Sequence, residues 1–130
     1  NENSKNLFVS MPTANRVALV DTESFSVSHE VDAGENPMRV ELQADGRYLW
    51  VGNNTDDPAT SGVTVIDTAD LEPVAFIATG AGHHEIAFSE GDRYAFVTNR
   101  DGASISVIDV QKLEKLTGKK WGVSNYEYEE

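Results

Sequence analysis

The chain has 130 residues, 39% of them apolar, and its 22 acidic and 10 basic residues give a formal net charge of −12. This charge disfavours binding to nucleic acid or to an anionic membrane surface, because both carry dense negative charge. No apolar run approaches the roughly 18 residues that a membrane-spanning helix needs. The absence of cysteine excludes disulfides, thiolate catalysis and cysteine-ligated zinc.

In chain order, one sequence pattern occurs three times. The copies begin as "LFVSMPTANRVALVDTESF" at Leu7, "LWVGNNTDDPATSGVTVIDTADL" at Leu49 and "AFVTNRDGASISVIDVQKL" at Ala95. Matching residues lie 42 or 46 positions apart, and a four-residue insertion within "NNTDDPATSG" accounts for the difference. A period of roughly 40 to 50 residues is typical of propellers and solenoids.

Each copy predicts strands rather than helices. In the second copy, short segments rich in β-branched and aromatic residues are separated by polar turns. These segments predict four strands near Met38–Leu42, Tyr48–Asn53, Val63–Asp67 and Pro73–Ala78. Four strands per repeat at this period predict an all-β fold made of four-stranded antiparallel propeller blades. The repeat also predicts that Val9, Val51 and Val97 occupy equivalent buried positions.

The third copy carries a resemblance to a known family. "YAFVTN" followed by "ISVIDV", with "GAGHHEIAFSEGDRY" before them, resembles the YVTN β-propeller repeat, and the likeness extends over about residues 7–113. That family is allied in sequence to the propellers of haem-d nitrite reductases and surface-layer proteins. The resemblance implies about two and a half blades of a larger, seven-bladed propeller. It also implies a periplasmic, extracellular or cell-surface location in a prokaryote.

The predicted organisation is three repeats near residues 7–48, 49–94 and 95–115, followed by a C-terminal extension over 116–130. The first copy lacks an inner strand, and the third has no predicted outer strand. Propellers close with about four to eight blades, so three interpretations stay open. The chain is a fragment of a larger propeller, a protomer that closes with a second copy, or a subunit docked on a partner.

The C-terminal extension breaks the repeat pattern and ends in an acidic segment that contains tyrosines. A solvated extension is the favoured interpretation. The alternative is that Trp121, Tyr126 and Tyr128 dock on another blade or subunit, because aromatic anchors concentrate binding energy.

His83 and His84 are the candidate ligand-binding residues. They lie in "TGAGHHEIAF", between the outer strand of one predicted blade and the inner strand of the next, and imidazole is the commonest metal ligand. The resemblance to haem-d nitrite reductases places His84 at the position of a haem ligand. Nitrous oxide reductase is also a propeller and binds copper through histidine-rich loops, so this similarity makes copper a second candidate ligand. His84 is therefore the candidate cofactor ligand, and both histidines are candidate metal ligands. A structural role is favoured, because Pro37 and Met38 stand at the matching place.

Other notable polar residues predict structural roles. A turn-capping role is predicted for the aspartates that recur at strand ends, because such side chains bond to nearby backbone. Recurring Arg–Tyr pairs predict blade structure, and the acidic pair in the insertion predicts a solvated turn rather than a calcium site. His29 shares strand phase with Phe25, Val27 and Val31, which predicts a core or interface position. The recurring and paired residues are Asp21, Asp67 and Asp109; Arg47, Tyr48, Arg93 and Tyr94; and Asp56 and Asp57.

The sequence favours a non-enzymatic binding or scaffold module whose partners are other propeller blades, a second copy or a partner subunit. The alternative is a haem- or copper-binding redox propeller with His84 as a ligand. Enzymatic activity stays open, and the enzymatic form that the resemblance implies is an oxidoreductase of the haem-d nitrite reductase type.

Overall fold

A computed structural model describes residues 5–120, with side chains described up to residue 116. The strands form three antiparallel sheets, which we call blades 1, 2 and 3. Blade 1 contains β1 (Asn6–Met11), β2 (Arg16–Asp21) and β3 (Ser26–Asp32). Blade 2 contains β4 (Pro37–Leu42), β5 (Tyr48–Asn53), β6 (Gly62–Asp67) and β7 (Glu72–Ala78). Blade 3 contains β8 (His83–Phe88), β9 (Tyr94–Asn99), β10 (Ser104–Asp109) and β11 (Glu114–Lys120).

The all-β propeller prediction is confirmed, and the four strands predicted for the second copy lie within one residue of the observed bounds. Within each blade, each strand pairs with the next along the chain, as in a meander. Two short 3₁₀ turns, Pro12–Ala14 and Glu90–Asp92, interrupt the loops. Within residues 5–120, no helix has the length and apolar character needed to cross a membrane.

The outer strand of blade 3 is an element that the repeat comparison did not predict. β11 pairs with β10 from Ser104 opposite Lys120 to Asp109 opposite Glu114, with a bulge after Val107. Blade 3 therefore has four strands and continues past residue 115 to Lys120. The extension residues Trp121, Tyr126 and Tyr128, with their predicted docking role, lie outside the described residues. Blade 1 has three strands, and its inner strand is absent from the described residues, as predicted.

Blade 2 is covered on both faces because neighbouring residues of a strand point to opposite sides. On β5, Val51 faces the core shared with blade 1, and Trp50 faces the core shared with blade 3, where its ring meets that of Phe88 edge to face at 5.5 Å. The first core contains Val17, Val31, Ala33, Leu49, Val51 and Ile66. The second contains Trp50, Val63, Val65, Ile77, Ile86, Ala95, Val97, Ile108 and Val110.

Two burial predictions are wrong, both in blade 1. Val51 and Val97 are fully buried, but Val9 is 39% exposed, because no described blade covers its face of β1. His29 was predicted to be a core or interface residue. It is exposed on the outer strand β3, so the core alternative is wrong and the interface alternative stays a prediction. Its Nδ1 lies 3.2 Å from Ser28 Oγ. A bulge at Ser28 separates the phase of His29 from that of Val27 but leaves His29 on the side of Val31, so its exposure reflects the lack of a covering neighbour among the described residues.

The recurring aspartates hold the turns that lead into the outer strands, as predicted. Asp21 Oδ1 accepts hydrogen bonds from the backbone N–H groups of Ser24 (3.0 Å) and Glu23 (2.8 Å), and these bonds lower its pKa. Asp67 Oδ1 accepts from Ala69 N at 2.8 Å. Asp109 Oδ1 accepts from a backbone N–H three residues on at 3.0 Å. The Arg47 and Arg93 guanidinium groups stack on the following tyrosine rings, at 4.8 and 5.3 Å from the ring centres.

In blades 2 and 3, a buried asparagine that is not among the predicted site residues joins the blade to the preceding linker. Asn53 Nδ2 donates to Ala33 O (2.7 Å) and Glu35 O (2.8 Å), both in the segment between β3 and β4. Thr64 Oγ1 donates to Asn53 Oδ1 at 2.7 Å. In blade 3, Asn99 Nδ2 donates to Thr79 O at 3.1 Å in the segment between β7 and β8. The asparagine therefore fixes where each inner strand begins.

We expect Asn53→Ala to lower the free energy of unfolding by about 2–3 kcal/mol, because it removes three hydrogen bonds made by a fully buried carboxamide. Asp67→Ala removes one turn-holding side chain and is expected to cost about 1 kcal/mol, by analogy with helix caps, without abolishing binding. Urea denaturation of both variants checks the order. An Asn53→Ala variant as stable as Asp67→Ala would contradict the assignment.

Candidate functional site

The candidate site is the start of the inner strands, which we call the inner-strand start and define as Pro37 and Met38 of β4 with His83 and His84 of β8. Pro37 lies opposite Asn53, and His83 lies opposite Asn99. In both strands the register then shifts at the next residue. Such a bulge re-aims the side chain of the extra residue. As a result Pro37 and His83 are buried, while Met38 and His84 are exposed.

The loop before β8 is fixed from two sides. Gly82 N donates to Thr55 O at 3.0 Å, and Arg100 N donates to Gly82 O at 2.7 Å. Gly82 has a φ of 73°, and a Cβ there would crowd Asp101, so the position requires glycine. Thr55 belongs to the segment "NNTDDPATSG", which contains the four-residue insertion in the repeat. That segment therefore helps to position the two histidines.

The acidic pair in the insertion forms a turn. Asp57 Oδ1 accepts a hydrogen bond from Ala59 N at 2.9 Å, and Asp57 O accepts from the backbone N–H groups of Thr60 and Ser61. Asp56 is exposed. These bonds agree with the predicted solvated turn and give a calcium site no support.

His83 is enclosed at the junction between blades 2 and 3, with only 3% of its surface exposed. Its ring packs on Gly52 of β5, where a Cβ atom would overlap Nε2. Neither ring nitrogen has a hydrogen-bond partner among the described residues. Burial lowers the His83 pKa to about 4, and the charges of His84 and Arg39 act in the same direction. The His83 ring is therefore neutral at neutral pH.

At each blade junction, the buried residue at the start of the inner strand lies near one residue of the preceding blade. The two pairs, Pro37 with Ser10 and His83 with Gly52, differ in size. Since Val9 and Val51 correspond, Ser10 occupies in blade 1 the position that Gly52 occupies in blade 2. Ser10 faces the smaller Pro37 junction and donates from its Oγ to Met38 O at 3.0 Å. Gly52 has no side chain and leaves room for the imidazole of His83. The same backbone thus accommodates an apolar ring at one junction and a polar ring at the other.

The structure buries one of the two predicted site histidines and exposes the other, because the register shift after His83 interrupts the regular alternation of β8. His84 is exposed and accessible to a ligand, whereas the nitrogens of His83 are enclosed. Within residues 5–120, no three His, Asp or Glu side chains lie together as a metal site. The described residues therefore do not fit a metal that takes three or four protein ligands. A haem brings its own four nitrogens, and a single imidazole suffices as its protein ligand. Ligand binding by either histidine stays a prediction.

A concave region lies at the opposite end of the strands from the inner-strand start, between the turns that precede β5 and β9. Its volume is about 630 Å³, and Arg47, Glu90 and Arg93 are among the residues that line it. Asp92 Oδ2 accepts a hydrogen bond from Ala44 N at 2.8 Å across the blade boundary. The contacts in this region join blades 2 and 3.

Stacked four-stranded meanders that share apolar cores between neighbouring sheets define a β-propeller. The chain belongs to the YNCE-like β-propeller family, whose model matches residues 1–120. The predicted relationship to YVTN-type propellers is thereby confirmed.

Two curated relatives carry the name Protein NirF. The chain is 28% identical to NirF of Stutzerimonas stutzeri over 109 residues, which cover 84% of this chain and 27% of the relative. It is 25% identical to NirF of Pseudomonas aeruginosa over 113 residues, which cover 87% of this chain and 28% of the relative. The chain therefore spans about a quarter of the length of these relatives.

Solved propellers share the fold. Hydrazine synthase of Kuenenia stuttgartiensis superposes with a TM-score of 0.79 and 26% identity, over 94% of this chain and 34% of that one. The dihydro-heme d1 dehydrogenase NirN, solved in complex with DHE, superposes with a TM-score of 0.66 over 81% of this chain and 23% of that one. Its identity of 19% shows the fold alone.

We expect the chain to lose stability as the pH falls from about 6.5 to about 4. The unfolded His83 takes up a proton near pH 6.5, but the folded one does so only near 4. Below pH 6.5 the unfolded state therefore binds more protons, and the full effect is about 3 kcal/mol. Urea denaturation at pH 7 and pH 4.5 measures it.

The control transplants the pair found at the other junction. A Gly52→Ser, His83→Pro double variant is expected to lose clearly less stability on acidification than the wild type. His29→Ala, which changes an exposed histidine, should behave as the wild type. Equal losses in the wild type and the double variant would contradict the prediction.

Proposed function

We propose that this chain is a non-enzymatic binding or scaffold module of a larger propeller in the periplasm or at the cell surface of a prokaryote, with its ligand-facing position at the inner-strand start. One observation carries the proposal. The polar residues that recur between the repeats are engaged in blade structure, whereas His84 does not recur and is exposed on a bulge.

The recurring residues have roles that any blade needs. Asp67 holds a turn, Arg47 stacks on its neighbouring tyrosine, and Asn53 ties the linker to the blade. None of these contacts depends on a ligand. A functional group that differs between blades is therefore a better candidate for binding than one that repeats.

The bulge at the inner-strand start favours such variation. Met38 and His84 are the extra residues of the bulges in β4 and β8, so they occupy equivalent positions in adjacent blades. Both side chains are exposed. Because neither contributes to a core, each can change without cost to the fold. This end of the blades presents a thioether and an imidazole, which are two ligand types suited to soft or borderline metals and to haem iron.

The second candidate function is haem binding with His84 as an axial ligand. Its support is the exposed imidazole, together with the described residues' poor fit to a copper centre of three protein ligands. The likeness to the propeller of the dihydro-heme d1 dehydrogenase NirN, which was solved with DHE, agrees with this choice. A bound haem would supply redox chemistry, and His84 would hold its iron.

Titration with ferric haem, followed by the Soret band, tests the role of His84. The wild type is expected to shift the band as an imidazole-ligated haem does. His84→Ala should lose the shift, while His29→Ala, which removes the other exposed histidine, should retain it. Circular dichroism and melting temperature serve as folding controls for both variants.

The remaining outcomes separate the two candidates. Equal shifts in the wild type and both variants would exclude His84 as the haem ligand. No haem or copper uptake by the wild type would leave the scaffold interpretation and remove the redox one. Copper uptake is measured separately by metal analysis. Copper that is bound by His29→Ala but not by His84→Ala, without a Soret shift in the wild type, would favour copper over haem.

A further inference from the structure

The repeat places a basic residue at the same end of each of the three blades, opposite to the inner-strand start. Each of these residues lies four positions before the matched valine of the repeat, and they are Lys5, Arg47 and Arg93. Equivalent backbone hydrogen bonds hold all three. Their carbonyl oxygens accept, in that order, from Thr22 N at 2.7 Å, Thr68 N at 3.1 Å and Val110 N at 3.1 Å. The three cations therefore occupy matching positions.

The blades differ in whether a carboxylate faces this cation. In blade 1, Lys5 Nζ lies 2.8 Å from Oε1 of Glu23, which belongs to the turn before the outer strand. The matching residues of the other two turns are Ala69 in blade 2 and Gln111 in blade 3, and neither carries a charge. The carboxylate that blade 1 supplies to its own cation is therefore missing from the turns of blades 2 and 3.

The two arginines are held in place without being neutralised. Among the described residues, no carboxylate forms an ion pair with Arg47 or Arg93. Each guanidinium stacks on the tyrosine that follows it, and Arg93 Nε donates to Tyr94 Oη at 3.0 Å. Stacking uses the face of the guanidinium and leaves its terminal NH₂ groups available to a carboxylate. Because the chain has 22 acidic and 10 basic residues, a shortage of carboxylates does not explain the missing pairs.

Both arginines line one concavity, the region of about 630 Å³ between blades 2 and 3, and Gln111 lies on its wall as well. This volume is in the range of ligand-binding clefts. Blades 2 and 3 form both walls, so the concavity remains a junction between neighbouring blades in a larger propeller.

The concavity has no excess of positive charge, because Asp45, Glu90 and Asp92 line it too. Asp45 Oδ1 accepts a hydrogen bond from Arg47 N at 2.9 Å, Asp92 Oδ2 accepts from Ala44 N at 2.8 Å, and Glu90 is exposed. Recognition of an anion here must therefore come from direct pairing with the guanidinium groups. Such contacts persist at about 0.1 M salt, where charges more than about 10 Å apart are largely screened.

We propose that this concavity binds an acidic segment of a partner protein, with one carboxylate on Arg47 and another on Arg93, as Glu23 pairs with Lys5 in blade 1. Arginine clusters recognise acidic motifs in this way. Sheets packed face to face lie about 10 Å apart. A polyproline II segment brings every third side chain to the same side at about 9 Å, so it can reach both blades. A single small anion does not span that distance. The concavity lies at the opposite end of the blades from His84, so this partner is separate from the ligand proposed there.

NMR titration with the blocked hexapeptide Pro-Glu-Pro-Pro-Glu-Pro at about 0.1 M salt tests the proposal. We expect the arginine Nε–H signals and the backbone amide signals of the residues that line the concavity to shift and to saturate. The matched peptide with glutamine in place of both glutamates should give no such shifts. Inorganic phosphate, the small-anion control, should bind at least about fivefold more weakly, since it pairs with one guanidinium only.

Arg47→Gln and Arg93→Gln should each weaken peptide binding about fivefold, the loss expected for one exposed ion pair. Gln111→Glu gives blade 3 the carboxylate that blade 1 has, so it should occupy Arg93 and weaken binding without removing a cation. Arg39→Gln is the matched control for lost charge, because Arg39 is exposed on β4 and does not line the concavity. Val74→Glu, on the exposed outer strand of blade 2, is the control for added charge. Both controls should bind as the wild type, and circular dichroism confirms the fold of every variant.

Several outcomes would overturn the proposal. These are a wild type that does not respond to the glutamate peptide, an equal response to the glutamine peptide, and an equal loss of binding in Arg39→Gln. A Gln111→Glu variant that binds the peptide as the wild type does would contradict the comparison with blade 1. Phosphate that binds as tightly as the peptide at the same residues would indicate a small-anion site and would overturn a protein segment as the partner.

Discussion

The architecture depends on a buried carboxamide at the end of the second strand of a blade. Asn53 donates two hydrogen bonds to carbonyls of the linker that arrives from blade 1, and Thr64 satisfies its oxygen. Carbonyls buried without a donor would cost free energy, so the linker has little freedom to lie elsewhere. Asn99 makes the corresponding contact to the next linker. Because an inner strand begins where its linker ends, these hydrogen bonds fix where β4 and β8 begin.

The candidate site is a consequence of that constraint. Once the linker is fixed, the next residue enters the blade junction and the one after it is turned outward by a bulge. The side chain at the buried position, 37 or 83, must fit the space left by the facing residue of the preceding blade. Proline therefore occurs opposite Ser10, and the larger histidine occurs opposite Gly52. The outward position carries no such requirement. Its chemistry is free to vary between blades, and in blade 3 it is an imidazole.

Much of the fold was predictable because the three copies of the repeat can be aligned with one another. The period, the strands of blade 2 and the aspartate turns all followed from residues that recur. β11 escaped prediction because "EKLTGKK" lacks the β-branched alternation of the other strands. Its pairing is instead dictated by the unpaired edge of β10, which is a tertiary effect. The exposure of Val9 and His29 depends on which neighbours cover blade 1, and a local pattern does not contain that information. The register shift after His83 decides which of the two adjacent histidines is buried, and the sequence pattern does not contain that shift.

The two junctions differ in how their stability depends on pH. The junction that contains Pro37 buries no titratable group, so proton uptake does not affect it directly. The junction that contains His83 buries an imidazole whose nitrogens lack partners among the described residues, which is costly compared with an apolar ring of similar volume. Repeat proteins distribute their stability over such interfaces, so the weaker one is where local opening is expected first. That interface lies directly behind His84. A neutral His83 adds no charge beside the exposed His84, whereas a protonated one would. The electrostatics of the exposed position therefore depend on the protonation of the blade junction, and proline at position 83 would remove that dependence.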